Sequence, residues 1–146
     1  MALIIQKFGG SSVADAEKIR NVARIITDTY QKGNRVVAVL SAQGDTTDDL
    51  IEKAAEINPA ASKRELDMLL STGEQISCAL CAMAIEDMGF PVVSLTGWQA
   101  GFRTNSGYGN ARIKRVQGER IRAELDKRRI VIVTGFQGLN KYDDIT

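Results

Sequence analysis

The chain has 146 residues, of which 44% are hydrophobic and 25% charged, and its formal net charge is +1. This composition is typical of one globular domain, and the balanced charge disfavours a nucleic-acid-binding protein, which usually carries a strong basic excess. No apolar run approaches the roughly 18 residues needed to span a bilayer, and the N-terminus lacks a signal-peptide pattern, so we expect a cytoplasmic protein without membrane association.

A short apolar run that ends in a lysine opens the chain and is followed by two glycines and two serines. We interpret residues 3–12 as a buried strand, a tight turn and a helix N-terminus. The unpaired amides of a helix N-terminus favour an anion, above all a phosphate, and glycines let the backbone approach such a ligand. The pattern therefore suggests a phosphate cradle that contains Gly9 and Gly10, with Lys7 as its mobile charge. An ordinary strand–turn–helix corner fits the same residues equally well.

The next two predicted elements are a helix and a second strand. Residues 12–31 carry apolar side chains at three- and four-residue spacings, which predicts an amphipathic helix that ends at a glycine. Residues 35–40 form an apolar run rich in β-branched side chains, typical of a strand covered on both faces. Strand, helix and strand with short connections predict a βαβ unit. Ligands of such sheets bind beyond the carboxyl ends of the strands, where Lys7 and Ser41 lie.

Two helical segments follow. The turn after the second strand, residues 41–50, leads into a predicted helix over about residues 47–57. Thr47 fits an N-terminal cap of this helix as well as a ligand contact. Residues 62–89 are predicted to form a helix in two pieces, because residues 71–75 interrupt the apolar pattern and match a capping box. This places Glu74 in the first turn of the second piece. A surface carboxylate that interacts favourably with the helix dipole is also common at such a position.

The remaining chain predicts two further core strands, a flap and a short helix. The core strands are residues 90–95 and 129–134. The glycine-rich residues 96–110 and the weakly alternating residues 111–116 are interpreted as a hairpin or flap, and residues 118–128 as a charged helix. Together the elements predict an α/β fold with a mostly parallel sheet and helices on both faces.

The available chemistry is limited by the side chains that are absent. The sequence contains no histidine and only two cysteines, Cys78 and Cys81, which excludes Ser-His-Asp and Cys-His pairs and a histidine base or metal ligand. The cysteines lie in an apolar helical context, so we interpret them as small buried residues rather than a zinc or redox site. Phosphoryl transfer suits the remaining side chains, because it depends mainly on positioning and charge neutralisation.

Several stretches, in order along the chain, resemble one family. Residues 7–13 resemble the opening motif of aspartate kinases, in the amino-acid kinase superfamily with its carbamate kinase-like fold. The further matching blocks are residues 41–50, 70–75, 99–101, 109–113 and 135–138. The resemblance covers essentially all of residues 1–146 and implies the N-terminal part of a kinase domain. In the family, an adenine-binding part and ACT regulatory domains follow.

The resemblance implies ATP-dependent phosphorylation of the β-carboxylate of L-aspartate to 4-phospho-L-aspartate, the first step of lysine, threonine and methionine biosynthesis. It implies that Lys7 is catalytic and that the ATP phosphates contact Lys7, Phe8, Gly9, Gly10 and Ser11. It also implies that L-aspartate is bound by Ser41, Thr47 and Glu74, with Glu74 accepting from the α-ammonium group. Mg²⁺ would bridge the phosphates, and we assign no metal ligand within this chain. The next family block would supply an arginine for a substrate carboxylate.

Some features leave alternatives open. Gln43 stands where the family has methionine and Tyr108 where histidine is frequent, which leaves the shape of the aspartate pocket open. Another amino-acid kinase of the same superfamily, or a catalytically silent substrate-binding or oligomerising module, remain possible functions. A P-loop or dinucleotide enzyme is disfavoured because its glycine motifs are absent. Exposed sheet edges and helix faces predict a homo-oligomer, or association with the rest of the kinase or its regulatory subunit.

Overall fold

The computed structural model describes all 146 residues, and its helices and strands are arranged around a four-stranded sheet. A 3₁₀ turn, Gly10–Val13, lies between the first strand and the first helix. The strands are β1 (Leu3–Phe8), β2 (Arg35–Leu40), β3 (Val92–Leu95), β4 (Phe102–Thr104), β5 (Ile113–Val116) and β6 (Ile130–Thr134). The helices are α1 (Ala16–Gln31), α2 (Thr46–Ile57), α3 (Lys63–Asp87) and α4 (Glu119–Asp126).

The central sheet has the strand order β1-β2-β6-β3, and every neighbouring pair is parallel. Side chains alternate between its two faces, so β2 and β6 contribute to two separate apolar clusters. One cluster joins the sheet to α1 and α3, and the other packs under α4 and the β4–β5 hairpin. The predicted α/β fold with a parallel sheet covered on both faces is confirmed.

Strand β1 forms one edge of this sheet and is covered on a single face. Leu3 and Ile5 leave 55% and 67% of their surface exposed, whereas Ile4 and Phe8 are half-buried on the opposite face. Phe8 packs against the cluster below α1. Lys7 shares the open face of β1 with Leu3 and Ile5, because side chains two residues apart point to the same side of a strand.

Helix α3 is continuous over 25 residues, so the break predicted at residues 71–75 is wrong. The Thr72 hydroxyl donates to the Leu69 carbonyl oxygen at 2.7 Å, and the Gln75 side chain donates to the Ser71 carbonyl oxygen at 3.2 Å. These side chains therefore bond back into their own helix and cap nothing. Gly73 serves packing instead of termination, because a Cβ there would lie 2.9 Å from the Cβ of Ala42.

The continuous α3 is also long and apolar enough to meet a length-and-hydropathy criterion for a membrane span, which the sequence analysis did not anticipate. A buried core helix meets the same criterion. Its buried residues include Cys78, Cys81 and Ile85, which pack in the larger apolar cluster. Burial raises the pKa of each cysteine thiol to about 12, so both thiols stay neutral and unreactive. The two cysteines therefore serve as small core residues.

The remaining elements follow the sequence prediction with small shifts. The first helix begins at Ala16, where the Asp15 side chain accepts from the Lys18 backbone amide at 2.9 Å. The flap predicted over residues 96–116 is an antiparallel hairpin of β4 and β5, with a register shift between Arg103 and Thr104. This hairpin lies beyond the carboxyl ends of the sheet strands and helps to enclose a cavity.

Candidate functional site

A cavity of about 750 Å³ lies at the carboxyl ends of β2 and β6. The turn after β2, helix α3, the turn after β6 and the β4–β5 hairpin form its walls. This is the position at which open parallel sheets bind ligands. Of the residues predicted from sequence, four line this cavity: Gly10, Ser41, Thr47 and Glu74.

The other predicted residues lie beside the cavity rather than in its lining. The Lys7 Nζ is 4.8 Å from the ring centroid of Phe136, which does line the cavity. Phe136 has a φ of 58°, a left-handed conformation that is uncommon for a bulky residue, and its ring is exposed. Gly9 and Ser11 are exposed on the adjoining turn. The Phe8 side chain packs in the core, so only its backbone is placed to contact a ligand.

The turns that follow β1 and β2 are held against each other. The Gly44 amide donates to the Gly10 carbonyl oxygen at 2.9 Å, and the Gln43 side chain donates to the Val13 carbonyl oxygen, also at 2.9 Å. Gln43, which departs from the family pattern, therefore joins the two turns. A Cβ at Gly10 would lie only 2.8 Å from the Ala42 carbonyl oxygen. Close contact between the turns thus requires glycine at this position.

The long helix does not start directly at the predicted phosphate cradle: a 3₁₀ turn over Gly10–Val13 precedes it, and α1 begins at Ala16. Asp15 caps α1 with a carboxylate, so the amino end of that helix is already occupied by negative charge. The amides of Gly10 and Ser11 begin the preceding 3₁₀ turn, and they donate to no protein group outside that turn. These two amides are therefore free to donate to a ligand, whereas the amino end of α1 is already capped.

A Gly10→Ala substitution is expected to destabilise the fold by about 1–3 kcal/mol, because the new methyl group overlaps the Ala42 carbonyl oxygen. Gly9→Ala is the matched control, since nothing lies within 4 Å of a Cβ at that position. Urea unfolding of the two variants measures the difference. Equal stability would show that the two turns separate freely and that the contact between them is not a fixed part of the site.

Glu74 projects from the middle of α3 into the cavity and is 9% exposed. Gln137 donates from Nε2 to Glu74 Oε2 at 3.0 Å. Burial raises the pKa of Glu74, while hydrogen bonds from its own backbone amide and from Gln137 oppose that rise. Its Oε1 accepts no hydrogen bond from another residue and is not sealed from solvent, so it can receive a donor from a ligand.

The charge of the cavity is entirely negative. Its only charged side chains are Asp67 and Glu74, and no lysine or arginine lines it. Burial raises the pKa of Asp67, and a hydrogen bond from the Gly109 amide at 2.9 Å opposes the rise. The Ser41 and Thr47 hydroxyls add uncharged polar groups to the same walls. The arrangement suits a small polar ligand that carries a positive charge, such as an ammonium group.

The sequence analysis assigned no role to several side chains in or beside the cavity. Tyr108, at the hairpin tip, donates from its hydroxyl to Asp144 at 2.7 Å, and Arg64 at the start of α3 donates to the same carboxylate at 2.6 Å. Both hydrogen bonds, Arg64's first, lower the pKa of Asp144. Asp67 and Gln137 reach the cavity from distant segments. Sequence signals pointed to Tyr108 and to the turn that contains Gln137, but they assigned no role to either side chain.

Comparison with known proteins identifies relatives along the whole chain. A model described as "Amino acid kinase family" matches residues 2–145. An aspartokinase of Geobacillus stearothermophilus is 53% identical over 146 residues, which are 100% of this chain and 36% of that protein. An aspartokinase of Corynebacterium glutamicum is 57% identical over 141 residues, which are 97% of this chain and 34% of that protein. The chain therefore spans about a third of the length of these curated relatives.

Solved structures give the same result for the fold. The crystal structure of aspartate kinase from Synechocystis superposes with a TM-score of 0.82 at 39% identity, covering 99% of this chain and 23% of that one. A crystal structure of E. coli aspartokinase III in complex with aspartate and ADP superposes with a TM-score of 0.85 at 21% identity, covering 100% and 43%. At 21% identity the second match supports the fold alone.

Proposed function

The chain belongs to the amino acid kinase family, and from this premise we propose that it forms the amino-acid and phosphate-binding part of an aspartate kinase. The proposed reaction transfers the γ-phosphoryl group of ATP to the β-carboxylate of L-aspartate. The proposal rests on one observation: Gly10, Ser41, Thr47 and Glu74, from three separate segments, line a single cavity beside Lys7. The adenine site would lie in the part of the relatives' length that this chain does not span.

Three polar side chains of the cavity are assigned to L-aspartate in this proposal. Glu74 Oε1 accepts a hydrogen bond from the α-ammonium group of L-aspartate, which the negative cavity attracts. The hydroxyls of Ser41 and Thr47 bond to the polar groups of the same substrate. The attacking β-carboxylate is already ionised at neutral pH, so no general base is required.

Phosphate binding is assigned to the turn after β1. The Gly10 and Ser11 amides and the Ser11 hydroxyl face the β- and γ-phosphates, Gly9 allows close approach, and the Phe8 backbone completes the turn. Lys7 neutralises charge on the transferring phosphoryl group. E. coli aspartokinase III was crystallised with aspartate and ADP, which are the ligand classes proposed for this site.

A magnesium ion would accompany ATP in this reaction. No group of three His, Cys, Asp or Glu side chains in the chain is arranged to hold a metal ion. In the proposed reaction Mg²⁺ would be held largely by phosphate oxygens and water, as the ion commonly is at nucleotide sites. The residues of this chain would act on the phosphates directly rather than through the metal.

A chimeric enzyme tests the proposal. This chain replaces the matching third of Geobacillus stearothermophilus aspartokinase, and hydroxylamine converts the acyl phosphate product to a coloured hydroxamate. ATP-dependent signal with L-aspartate, and not with L-glutamate, N-acetyl-L-glutamate or carbamate, is expected. A signal only with another acceptor would indicate a different amino-acid kinase of the same superfamily. A soluble, folded chimera without signal for any acceptor would contradict the proposal and favour a catalytically silent module.

Self-association is expected for the chain alone, as a homo-oligomer. Helix α3 exposes Ile76, Leu80 and Met83 at helical spacing, in addition to the open face of β1. In a longer kinase, the rest of the protein would cover part of this surface. Sedimentation velocity should show dimers or larger species at high concentration, and Leu80→Lys with Met83→Lys should reduce them. Ile57→Lys, on α2, is the control, and a clean monomer at every concentration would contradict the expectation.

A further inference from the structure

A chain of buried hydrogen bonds connects the turn after β3 to Glu74. The Gly97 amide donates to Thr134 Oγ1 at 2.7 Å, and the Thr134 hydroxyl donates to Gln137 Oε1, also at 2.7 Å. Gln137 then donates from Nε2 to the Ser71 carbonyl oxygen at 2.6 Å and to Glu74 Oε2 at 3.0 Å. Thr134 and Gln137 are both buried. Two turns at the carboxyl ends of the sheet, those after β3 and β6, therefore converge on one carboxylate of α3.

The surrounding acceptors fix the orientation of the Gln137 amide. A carbonyl oxygen and a carboxylate oxygen face Nε2, and both can only accept, so the nitrogen must point toward α3. The Thr134 hydroxyl accepts a hydrogen bond from the Gly97 amide and donates its own proton to Gln137 Oε1. Neither side of the amide can rotate without leaving a buried polar group unpaired, which is costly.

The backbone of Gln137 is held as firmly as its side chain. A Cβ at Gly97 would lie 2.2 Å from the Gln137 carbonyl oxygen, so the two turns are in direct backbone contact. The position of the amide is thus set by the sheet rather than by the ligand. Gln137 occupies one carboxylate oxygen of Glu74 and leaves the other, Oε1, without a hydrogen bond from another residue, on a side chain that lines the cavity.

We propose that Gln137 is the positioning residue of the amino-acid site: it holds Glu74 ionised, with Oε1 directed toward the ammonium group of the substrate. The proposal deepens the proposed function and rests on it for the identity of the ligand. A neutral, freely rotating Glu74 would offer the ammonium group a weaker and less defined acceptor. Thr134 acts one step further away, by fixing the oxygen end of the Gln137 amide.

The charged groups near Glu74 are few, which makes its titration readable. Asp67 lines the same cavity from an earlier turn of α3, and Cys78 lies one turn later on the helix. The pKa of the Cys78 thiol is about 12, so it stays neutral through the range of interest. The turns after β1, β2 and β6 contribute no charged side chain to the cavity lining. Asp67 is therefore the one other carboxylate to follow in the same titration.

The experiment is a ¹³C NMR titration of the glutamate and aspartate carboxyl groups in this chain, with Glu74→Gln used to assign the Glu74 signal. In Gln137→Met, which keeps the length and removes all three side-chain hydrogen bonds of Gln137, the midpoint of the Glu74 titration should move to higher pH. Thr134→Val should move it less, and Thr134→Ser, which restores the hydroxyl, should leave it unchanged. An unchanged Glu74 midpoint in folded Gln137→Met and Thr134→Val would overturn the proposal.

Kinetics of the chimera provide the second readout. Gln137→Met should raise the KM for L-aspartate about tenfold and change kcat less than threefold, because only acceptor geometry is altered. Equal loss in kcat and in ATP affinity would indicate a general structural role and contradict positioning. The NMR arm needs neither ATP nor turnover. A shifted Glu74 midpoint in a chain whose chimera is inactive would therefore support the Gln137 assignment and count against the aspartate kinase function alone.

Discussion

Glu74→Gln should weaken L-aspartate binding about 30- to 100-fold and, at the same time, make the folded protein more stable at neutral pH. The binding loss follows from the removal of a charge-assisted hydrogen bond to the ammonium group, typically worth about 1.5–3 kcal/mol. The glutamine keeps the size of the side chain and can still accept from Gln137. In the chimera, the effect should appear as a raised KM for L-aspartate with an unchanged KM for ATP.

The stability gain has a pH dependence whose sign follows from burial. Burial raises the pKa of Glu74 above its ordinary value of 4.5. The folded state then retains a proton at pH values where the unfolded chain has lost it. Stability therefore falls as pH rises from the unfolded pKa through the folded pKa, and that loss persists at neutral pH. Glu74→Gln removes the loss, so its melting temperature should exceed wild type by a few degrees near pH 7 and match it near pH 4.

Glu56→Gln provides the matched control, because Glu56 is an exposed glutamate on α2. It should change neither L-aspartate binding nor the pH dependence of melting. A Glu74→Gln variant that is less stable than wild type at pH 7 would contradict the assignment. It would mean that the carboxylate stabilises the native core, and that its place in the cavity is structural.

The location of the site at the carboxyl ends of the strands could be predicted from sequence, because this location depends on local patterns. Apolar runs separated by one helix leave little choice except parallel pairing, and parallel pairing puts Lys7 and Ser41 at one edge of the sheet. The register observed, with Lys7 opposite Val39, follows from these same runs. For these residues, position along the chain was sufficient to place them together.

The ligand contact of Glu74 was predicted from the resemblance to aspartate kinases, but the helix start that the local pattern placed around it is wrong. The sequence placed it at a helix start because Thr72 and Gln75 match a capping box. In the structure the helix runs through, since the packing of Gly73 on Ala42 and the apolar face beyond it outweigh a local capping preference. Glu74 therefore enters the cavity from the middle of a rigid helix, which fixes its direction better than a frayed terminus would.

The partners of Glu74 could not be predicted at all. Gln137 follows it by more than sixty positions, and its role depends on the contact between the turns after β3 and β6. No periodicity or spacing encodes a contact of this kind. The same holds for the Tyr108–Asp144 hydrogen bond, which joins the hairpin tip to a segment far along the chain. Both interactions come from tertiary packing, not from local propensity.

Lys7→Met should reduce phosphoryl transfer in the chimera at least about 1,000-fold, the largest effect expected for any single substitution here. Lysine at this position would act on charge that grows on the phosphoryl group in the transition state, and loss of such a preorganised cation is expected to cost about 4 kcal/mol or more. The effect should fall on kcat, with little change in the KM for L-aspartate. Lys7→Arg should retain part of the rate, because it keeps the charge but not the compact geometry.

Folding should not contribute to this loss, because Lys7 is exposed and takes part in none of the ion pairs of the protein. Its one defined contact is with the exposed ring of Phe136, and such a surface contact is worth about 0.5–1 kcal/mol. Lys18→Met, at an exposed position on α1, is the control and should retain full activity. If Lys7→Met kept more than a tenth of the wild-type rate, the turn after β1 would be an ordinary corner. If Lys7→Met is inactive but as stable as Lys18→Met, Lys7 acts on a ligand, because its charge then contributes nothing to the stability of the fold.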